Sequence, residues 1–258
     1  MTELLWVIPL GLLIGTALGS LGAGGSILAV PGLVYLLGQS PTTATTASLI
    51  IIGLTSLVGL VPHQRKGNVR LGRGVIFGIL GVLGSFLGAK LAVGLPSAVL
   101  MSAFAVLMLV VALLMWRRHR RTGTSAAAAV EPRPRPLRLV LAASGVGLLT
   151  GFFGIGGGFA VVPALVLAMG LAMPAAVGTS LLVIAINSGT ALAFRLGNGV
   201  ELDWVVIGGF TVFAVVGSLL GSRITSRVPA RTLTRAFIVM LVALAGYIGA
   251  MNVPTLLS

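Results

Sequence analysis

One stretch near the N-terminus restricts the fold of this chain more than any other feature. Glu3 is followed by no Lys, Arg, Asp or Glu until Arg65, and a second uncharged interval covers residues 139–194. About 20 apolar residues cross a bilayer as a helix, so each interval is long enough for more than one crossing. With 57% apolar and 8% charged residues, the sequence predicts an all-α polytopic protein of the cytoplasmic membrane, with the lipid bilayer as its surroundings.

The passage least compatible with a continuous helix occurs twice. Gly19–Leu33 reads GSLGAGGSILAVPGL and Gly151–Leu165 reads GFFGIGGGFAVVPAL, with glycine at the first, fourth, sixth and seventh positions and proline at the thirteenth. An interior glycine costs a helix roughly 1 kcal/mol and a proline about 3, and in lipid the freed backbone groups need other partners. The motif therefore predicts two broken helices, one in each half of the chain.

The similarity between the halves extends beyond the glycines, at a nearly constant spacing along the chain. The matched pairs are Ser40-Pro41 with Met173-Pro174, Thr46-Ala47-Ser48-Leu49 with Gly178-Thr179-Ser180-Leu181, Gly84-Ser85-x-x-Gly88 with Gly217-Ser218-x-x-Gly221, Lys90 with Arg223, and Pro96 with Pro229. The sequence thus predicts two homologous four-element helical repeats, each opening with a glycine-broken helix. The first covers residues 1–116 and the second 137–258, and a linker rich in Arg, Pro and Ala (117–136) joins them.

The basic residues favour one of two topologies. If each broken helix spans the membrane, there are eight spans, and 12 of the 17 Lys and Arg residues lie on one side. If each is re-entrant, there are six spans and the halves are inverted. In that arrangement all the basic residues except Lys90 and Arg195 share a side. Because basic loops stay cytoplasmic, the inverted arrangement is favoured over the spanning one.

The broken helices also indicate where a ligand binds. Backbone N–H groups released from helical pairing, together with helix N-termini, attract an anion, although glycines that only permit close packing would explain the motif too. Hydroxyl and amide side chains nearby would complete an anion shell, or would cap and pack the helices. The predicted substrate-binding residues are Gly22, Gly24, Gly25, Ser26, Thr46, Ser48, Gly154, Gly156, Gly157, Gly158, Thr179, Ser180 and Asn187, with Lys90 and Arg223 as charges that either line the pathway or extend to the interface.

Several classes of function are disfavoured. The acids Glu3, Glu131, Glu201 and Asp203 lie outside the apolar segments, and the sequence places His63 and His119 in basic loops. We therefore expect no catalytic residues, no metal site and no cofactor. Asp203, which precedes Trp204, is expected to cap a helix. The net charge of +13 is explained by membrane orientation, and no nucleic-acid partner is expected.

The twin glycine motifs, Pro31, Pro163 and the stretches Gly178-Thr179-Ser180-Leu181 and Gly217-Ser218-x-x-Gly221-Ser222-Arg223 together resemble the sulfite exporter TauE/SafE family of membrane transporters. The resemblance covers both halves and implies a permease for a small sulfur-containing anion such as sulfite or a sulfonate. Ser26 replaces the third glycine of the family motif in the first half, which leaves the substrate open. A non-transporting scaffold or anion receptor is the alternative. Import or export, the coupling ion and the oligomeric state are open at this point.

Overall fold

The structure is a computed structural model that describes residues 2–22, 24–91, 97–121, 136–153, 158–195 and 202–257, and the regular structure in these ranges is helical. A π-helical turn, Gly32–Leu36, follows the second helix. The α-helices of the described ranges are α1 (Thr2–Leu21), α2 (Gly24–Pro31), α3 (Pro41–Arg65), α4 (Leu71–Leu91), α5 (Ser97–Arg121), α6 (Pro136–Phe153), α7 (Gly158–Leu167), α8 (Met173–Arg195), α9 (Trp204–Arg227) and α10 (Ala230–Leu257).

Two long helices start at side chains that satisfy their first backbone donors. The Ser40 hydroxyl accepts from the Thr43 N–H (3.2 Å) at the start of α3. At the start of α9, the Asp203 carboxylate accepts from the N–H groups of Val205 (3.0 Å) and Val206 (3.1 Å). These contacts confirm the capping role predicted for Asp203.

Six helices are long and apolar enough to cross a bilayer, namely α3, α4, α5, α8, α9 and α10. The apolar parts of α1 and α6, Val7–Leu21 and Leu137–Phe153, are shorter, as is α7. Large apolar side chains cover the outside of the bundle; Leu83 and Phe86 of α4, for example, are 62% and 61% exposed. Such a surface requires lipid around it, so the chain is a multi-pass membrane protein, as predicted.

The helices extend further than the apolar residues do. The sequence suggests that an apolar helix ends at Trp116, but α5 continues to Arg121, so the predicted linker begins as helix. Arginine is a good helix former, and leaving the membrane does not oblige a helix to end. Residues 122–135, the rest of the predicted linker apart from Pro136, lie outside the described residues.

The most extensive packing pairs α1 with α9 and α4 with α6, and both pairs run parallel. In α1, a Cβ at Gly15 or Gly19 would collide with the backbone of Ala214 or Ser218 in α9. In α6, Gly147 and Gly151 meet the backbone of Gly81 and Ser85 in α4 in the same way. Glycine at these positions lets the helix backbones touch, as is typical of membrane helices.

Two apolar cores result, and each takes helices from both ends of the chain. The first core contains Ile14, Leu33 and Ile51 from α1, the π-helical turn and α3, together with Phe210 of α9. The second core is built on Phe159 of α7 and its neighbours in α6, α8 and α10, together with residues of α4 and α5. The second core therefore includes α4 and α5 of the N-terminal half, and the first core includes α9 and part of α8 of the C-terminal half.

Candidate substrate site

The first glycine motif breaks the helix and reverses the chain. Helix α1 ends at Leu21, and Gly22 has φ +78°, a left-handed conformation that glycine adopts without strain. The Gly22 N–H still donates to the Leu18 carbonyl (2.8 Å). Gly25, in the first turn of α2, packs directly against Ile14 and Leu18 of α1. In a straight helix Gly25 and Ile14 would be about 16 Å apart, so α2 folds back along α1.

The second motif also interrupts a helix. Helix α6 ends at Phe153 and α7 begins at Gly158, which is buried. The predicted site residues Gly154, Gly156 and Gly157 lie outside the described residues. The Phe153 and Phe159 rings, one on each side of the break, both pack on Phe104 of α5, at centroid distances of 5.3 and 4.8 Å. Arg118 at the end of α5 donates to the Leu167 carbonyl (3.1 Å) and to that of Val166, the last turn of α7.

The first break lies against the second half of the chain. A Cβ at Gly22 would collide with the Ser180 hydroxyl of α8 and would lie 3.1 Å from Val162 of α7 and from the Val177 Cα. The short helices α2 and α7 are also in contact. The structure thus brings together Gly22 and Ser180, two predicted site residues from different halves of the sequence. Gly24 is the first residue of α2; the surroundings of Gly24 and Ser26 are outside the described part.

The four predicted hydroxyl groups are buried and already bonded. Thr46 donates to the Thr42 carbonyl (3.0 Å), Ser48 to that of Thr45 (2.8 Å) and Ser180 to that of Val177 (2.8 Å). The Thr179 hydroxyl oxygen accepts from the Arg70 N–H (3.0 Å), which ties the start of α8 to the loop after α3. These bonds give each group a local role in capping or packing.

Helices α3 and α8 pack antiparallel, and their register separates the predicted hydroxyls into two groups. At one end Arg195 Nη1 donates to Thr45 Oγ1 (2.8 Å) and lies 3.4 Å from Thr46 Oγ1. At the other end Gly178 packs against Asn68 and His63. Thr46 and His63 are close to opposite ends of α3, about 25 Å apart along the helix. Thr46 and Ser48 therefore lie at one end of the pair, and Thr179 and Ser180 at the other.

One end of this pair carries most of the described basic residues. Lys66 Nζ donates to the Ser222 carbonyl at the end of α9 (3.3 Å), and Arg70 lies at the start of α8. Arg118 lies at the same end, because it donates to the last turn of α7. Arg235 lies there too, because its Nε donates to Nε2 of His119, the neighbour of Arg118 (3.2 Å). We call this the basic end, and the end at Thr45 and Arg195 the far end.

The predicted pathway charges Lys90 and Arg223 are exposed and lie at opposite ends of the molecule. Lys90 is in the last turn of α4, away from the basic end, with its Nζ 4.7 Å from the centroid of the exposed Phe86 ring. This contact is typical of a lysine that extends along apolar surface. The Lys90 charge therefore lies away from Gly22, whereas Arg223 belongs to the turn of α9 that follows the contact of Gly221 with Ser20 of α1.

The expectation that both histidines lie in basic loops is wrong. His63 lies in the last turn of α3, only 1% exposed, and its Nε2 donates to the Gly19 carbonyl at the end of α1 (3.0 Å). Thr225 of α9 donates toward the same carbonyl (3.3 Å). His119 lies within α5. The helices extend past their apolar residues, so His63 meets the end of α1 instead of solvent.

No group of three His, Asp or Glu residues able to hold a metal ion occurs in the described ranges.

Sequence reasoning did not identify Arg195 as a site residue. Its guanidinium lies at the far end beside two hydroxyls. One signal in the sequence could have identified it, since Arg195 matches His63 when the two halves are aligned on their glycine motifs. His63 packs against Gly178 near the start of α8, and Arg195 donates to Thr45 near the start of α3. Asn187, the remaining predicted residue, lies near the middle of α8, with Gly81 of α4 beside its amide (3.8 Å from a Cβ there).

The chain is similar over nearly its whole length to known membrane proteins. The model of the family described as "Sulfite exporter TauE/SafE" matches residues 7–248. A "Probable membrane transporter protein" of Xylella fastidiosa strain 9a5c is 36% identical over 253 residues, which cover 95% of each chain. A protein of the same description from strain Temecula1 is 35% identical with the same coverage. "Probable membrane transporter protein YdhB" of Bacillus subtilis is 28% identical over 240 residues, 91% of this chain and 95% of that protein.

Proposed function

Because this chain belongs to the sulfite exporter TauE/SafE family, which comprises transporters and not enzymes, we propose that it moves a small sulfur-containing or related organic anion, such as sulfite or a sulfonate, across the cytoplasmic membrane by alternating access. The observation that carries the proposal is the contact of the first helix break, at Gly22, with α7 and α8 of the second half. Transporters commonly bind their substrates between repeats, where helices are interrupted.

Matched contacts support the division into two inverted repeats. Gly19 of α1 meets the carbonyl of Ser218 in α9, and Gly151 of α6 meets the carbonyl of Ser85 in α4. Gly151 is the counterpart of Gly19 in the second half, and Ser218 is the counterpart of Ser85, so the two contacts are equivalent. The contact of Gly217 with α1 and that of Gly84 with α6 are related in the same way. A pair of homologous units that exchange one helix would produce this pattern.

The direction of the helices supports the re-entrant topology. Because α2 folds back along α1, the loop before α3 returns to the end where α1 began, and α3 then runs to the basic end. Helix α5 also ends there, and its last five residues carry four arginines of the predicted linker. The described basic end then faces the cytoplasm, as positive-inside segregation requires, and Arg195 at the far end faces outward. In this arrangement the α1–α2 hairpin enters the membrane from outside, and the α6–α7 hairpin enters it from the cytoplasm.

The charges suit an anion. The described part of the bundle interior contains no Asp or Glu, and Arg195 lies beside hydroxyls at the outer end. At the cytoplasmic end the Lys66 ammonium lies at the Ser222 carbonyl of α9. The Arg70 guanidinium lies at the Gly67 carbonyl, in the loop that the Arg70 N–H joins to Thr179 of α8. Positive charge at each end raises the local concentration of anions, while a neutral interior does not hold them too tightly to leave. Rocking of one repeat against the other around Gly22 would open one end at a time.

Flux measurements on purified protein in liposomes test this proposal. We expect saturable uptake of radiolabelled sulfite or of a sulfonate, competed by other sulfur oxyanions and much less by acetate or succinate, and absent from protein-free liposomes. Binding of the same anions without flux would assign the chain to the alternative class of anion receptors. Neither binding nor flux across the panel would contradict the proposed substrate class.

A further inference from the structure

A set of buried polar atoms follows one helix through the whole bundle. Among the described residues, the buried side-chain N and O atoms that have no hydrogen-bond partner are Gln39 Oε1, Thr55 Oγ1, Ser56 Oγ, His63 Nδ1, Asn187 Oδ1 and Ser218 Oγ. Three of these atoms belong to α3, and Gln39 lies just before that helix. The other two lie on helices that pack against it, since Ser218 of α9 meets Gly59 and Asn187 belongs to α8.

Among the described residues, buried hydroxyls without a hydrogen-bond partner are the exception. Most Ser and Thr residues in the helices donate to a carbonyl about one turn earlier, among them Thr16, Ser20, Thr150, Thr190 and Thr211. Thr55 and Ser56 do not, although they are only 1% and 0% exposed. A buried polar group without a partner costs roughly 1–3 kcal/mol. The two unbonded hydroxyls, on neighbouring residues of α3, therefore suggest that a partner binds there in part of the working cycle.

The register of α3 and α8 places Thr55, Ser56 and Asn187 at about the same level, halfway along the two helices. A Cβ at Gly53, the midpoint of α3, would lie 3.3 Å from Ser188 Cβ. Ser56 is one turn further along the same helix, and Asn187 is the neighbour of Ser188. Thr55 and Asn187 are also counterparts in the two repeats. The three side chains thus lie halfway between Arg195 at the far end and His63 at the basic end.

We propose that Thr55, Ser56 and Asn187, which we call the midpoint cluster, bind the transported anion halfway along its path beside α3. This inference rests on the proposed function and adds Thr55 and Ser56 to the predicted binding residue Asn187. The two hydroxyls and the Asn187 side-chain N–H groups are neutral donors that can bond to sulfite or sulfonate oxygens in place of water, whereas the unbonded Asn187 Oδ1 is an acceptor. A desolvated anion would be held by such hydrogen bonds without a fixed counter-charge, which is compatible with its release on either side.

The variants Thr55→Val and Ser56→Ala remove the two unbonded hydroxyls at little cost in volume. For Thr55→Val and Ser56→Ala we expect the KM for sulfite influx and the Kd of the purified protein to rise roughly tenfold or more, the effect of losing one bond to a charged ligand. Thr55→Ser should restore near-normal values. Thr190→Val is the matched control, because that hydroxyl in α8 already donates to the Ile186 carbonyl (2.8 Å).

The melting temperature without substrate separates ligand binding from packing. Removing an unbonded hydroxyl relieves its desolvation cost, so Thr55→Val and Ser56→Ala should melt at the same or a higher temperature than the wild type while binding sulfite more weakly. A lower melting temperature with unchanged KM and Kd would overturn the inference in favour of a structural role. A changed sodium dependence with unchanged anion KM would overturn it in favour of a cation site. If the wild type neither binds nor transports any anion of the panel, the proposed function fails first, and this inference with it.

Discussion

At the scale of single residues, Gly22 has the most demanding position among the predicted site residues whose surroundings the structure describes. It combines a positive φ with contacts to Ser180, Val162 and Val177, so a side chain meets both backbone strain and the surface of the second half. The sequence motif predicts the break at this point because glycine and proline disrupt helices. It does not predict which residues face the break, since those come from the other half of the chain.

Gly22→Ala should slow transport at least several-fold. The methyl group costs roughly 1–2 kcal/mol in the left-handed backbone conformation and also pushes against Ser180 and α8. Gly67→Ala is the matched control, because Gly67 also has positive φ (+70°) but no atom lies within 4 Å of its added Cβ. Both variants should insert into the membrane and lose some thermal stability, and only Gly22→Ala should lose flux, measured in liposomes. Wild-type flux in Gly22→Ala would contradict a functional role for this contact.

At the scale of helices, the sequence predicts the number and type of elements well and their pairing poorly. Long uncharged stretches, the glycine motifs and Asp203 identify the helices, the breaks and one cap, because these depend on local chemistry. The burial of His63 and the contact of Arg195 with Thr45 depend on the antiparallel packing of α3 and α8. Nothing in the local sequence encodes that packing, and for the same reason Thr55 and Ser56 read as ordinary helix residues.

The fold-back of α2 along α1 and the break before α7 predict an accessibility pattern for single cysteines in this chain, which contains none of its own. In the re-entrant topology Gln39→Cys lies outside, whereas Asn68→Cys and Ala168→Cys lie in the cytoplasm. An impermeant thiol reagent added to intact cells should label the first and reach the other two only after permeabilisation. If both broken helices spanned the membrane, Gln39 and Ala168 would lie on the same side. Joint labelling of those two would therefore contradict the re-entrant topology.

At the scale of the whole molecule, buried polar side chains occur along α3 and α8 from the far end to the basic end. Ser48 belongs to the far end and its counterpart Ser180 to the basic end, and the midpoint cluster lies between them. The repeat in the sequence predicts that such counterparts exist. The structure adds that they lie at opposite ends of α3 and α8 and not around one shell, because the two helices run antiparallel. Alternating access requires that these ends open in turn.

The most direct test of this central claim compares Ser48→Cys and Ser180→Cys in protein that transports sulfite. Both serines are buried, and cysteine is close to serine in size. The rate of reaction with a small thiol reagent is measured in liposomes with and without sulfite. If the ends open in turn, sulfite shifts the population of states, so the rate at one cysteine rises while the rate at the other falls. Rates that change in the same direction, or that do not change while sulfite is carried, would contradict the account.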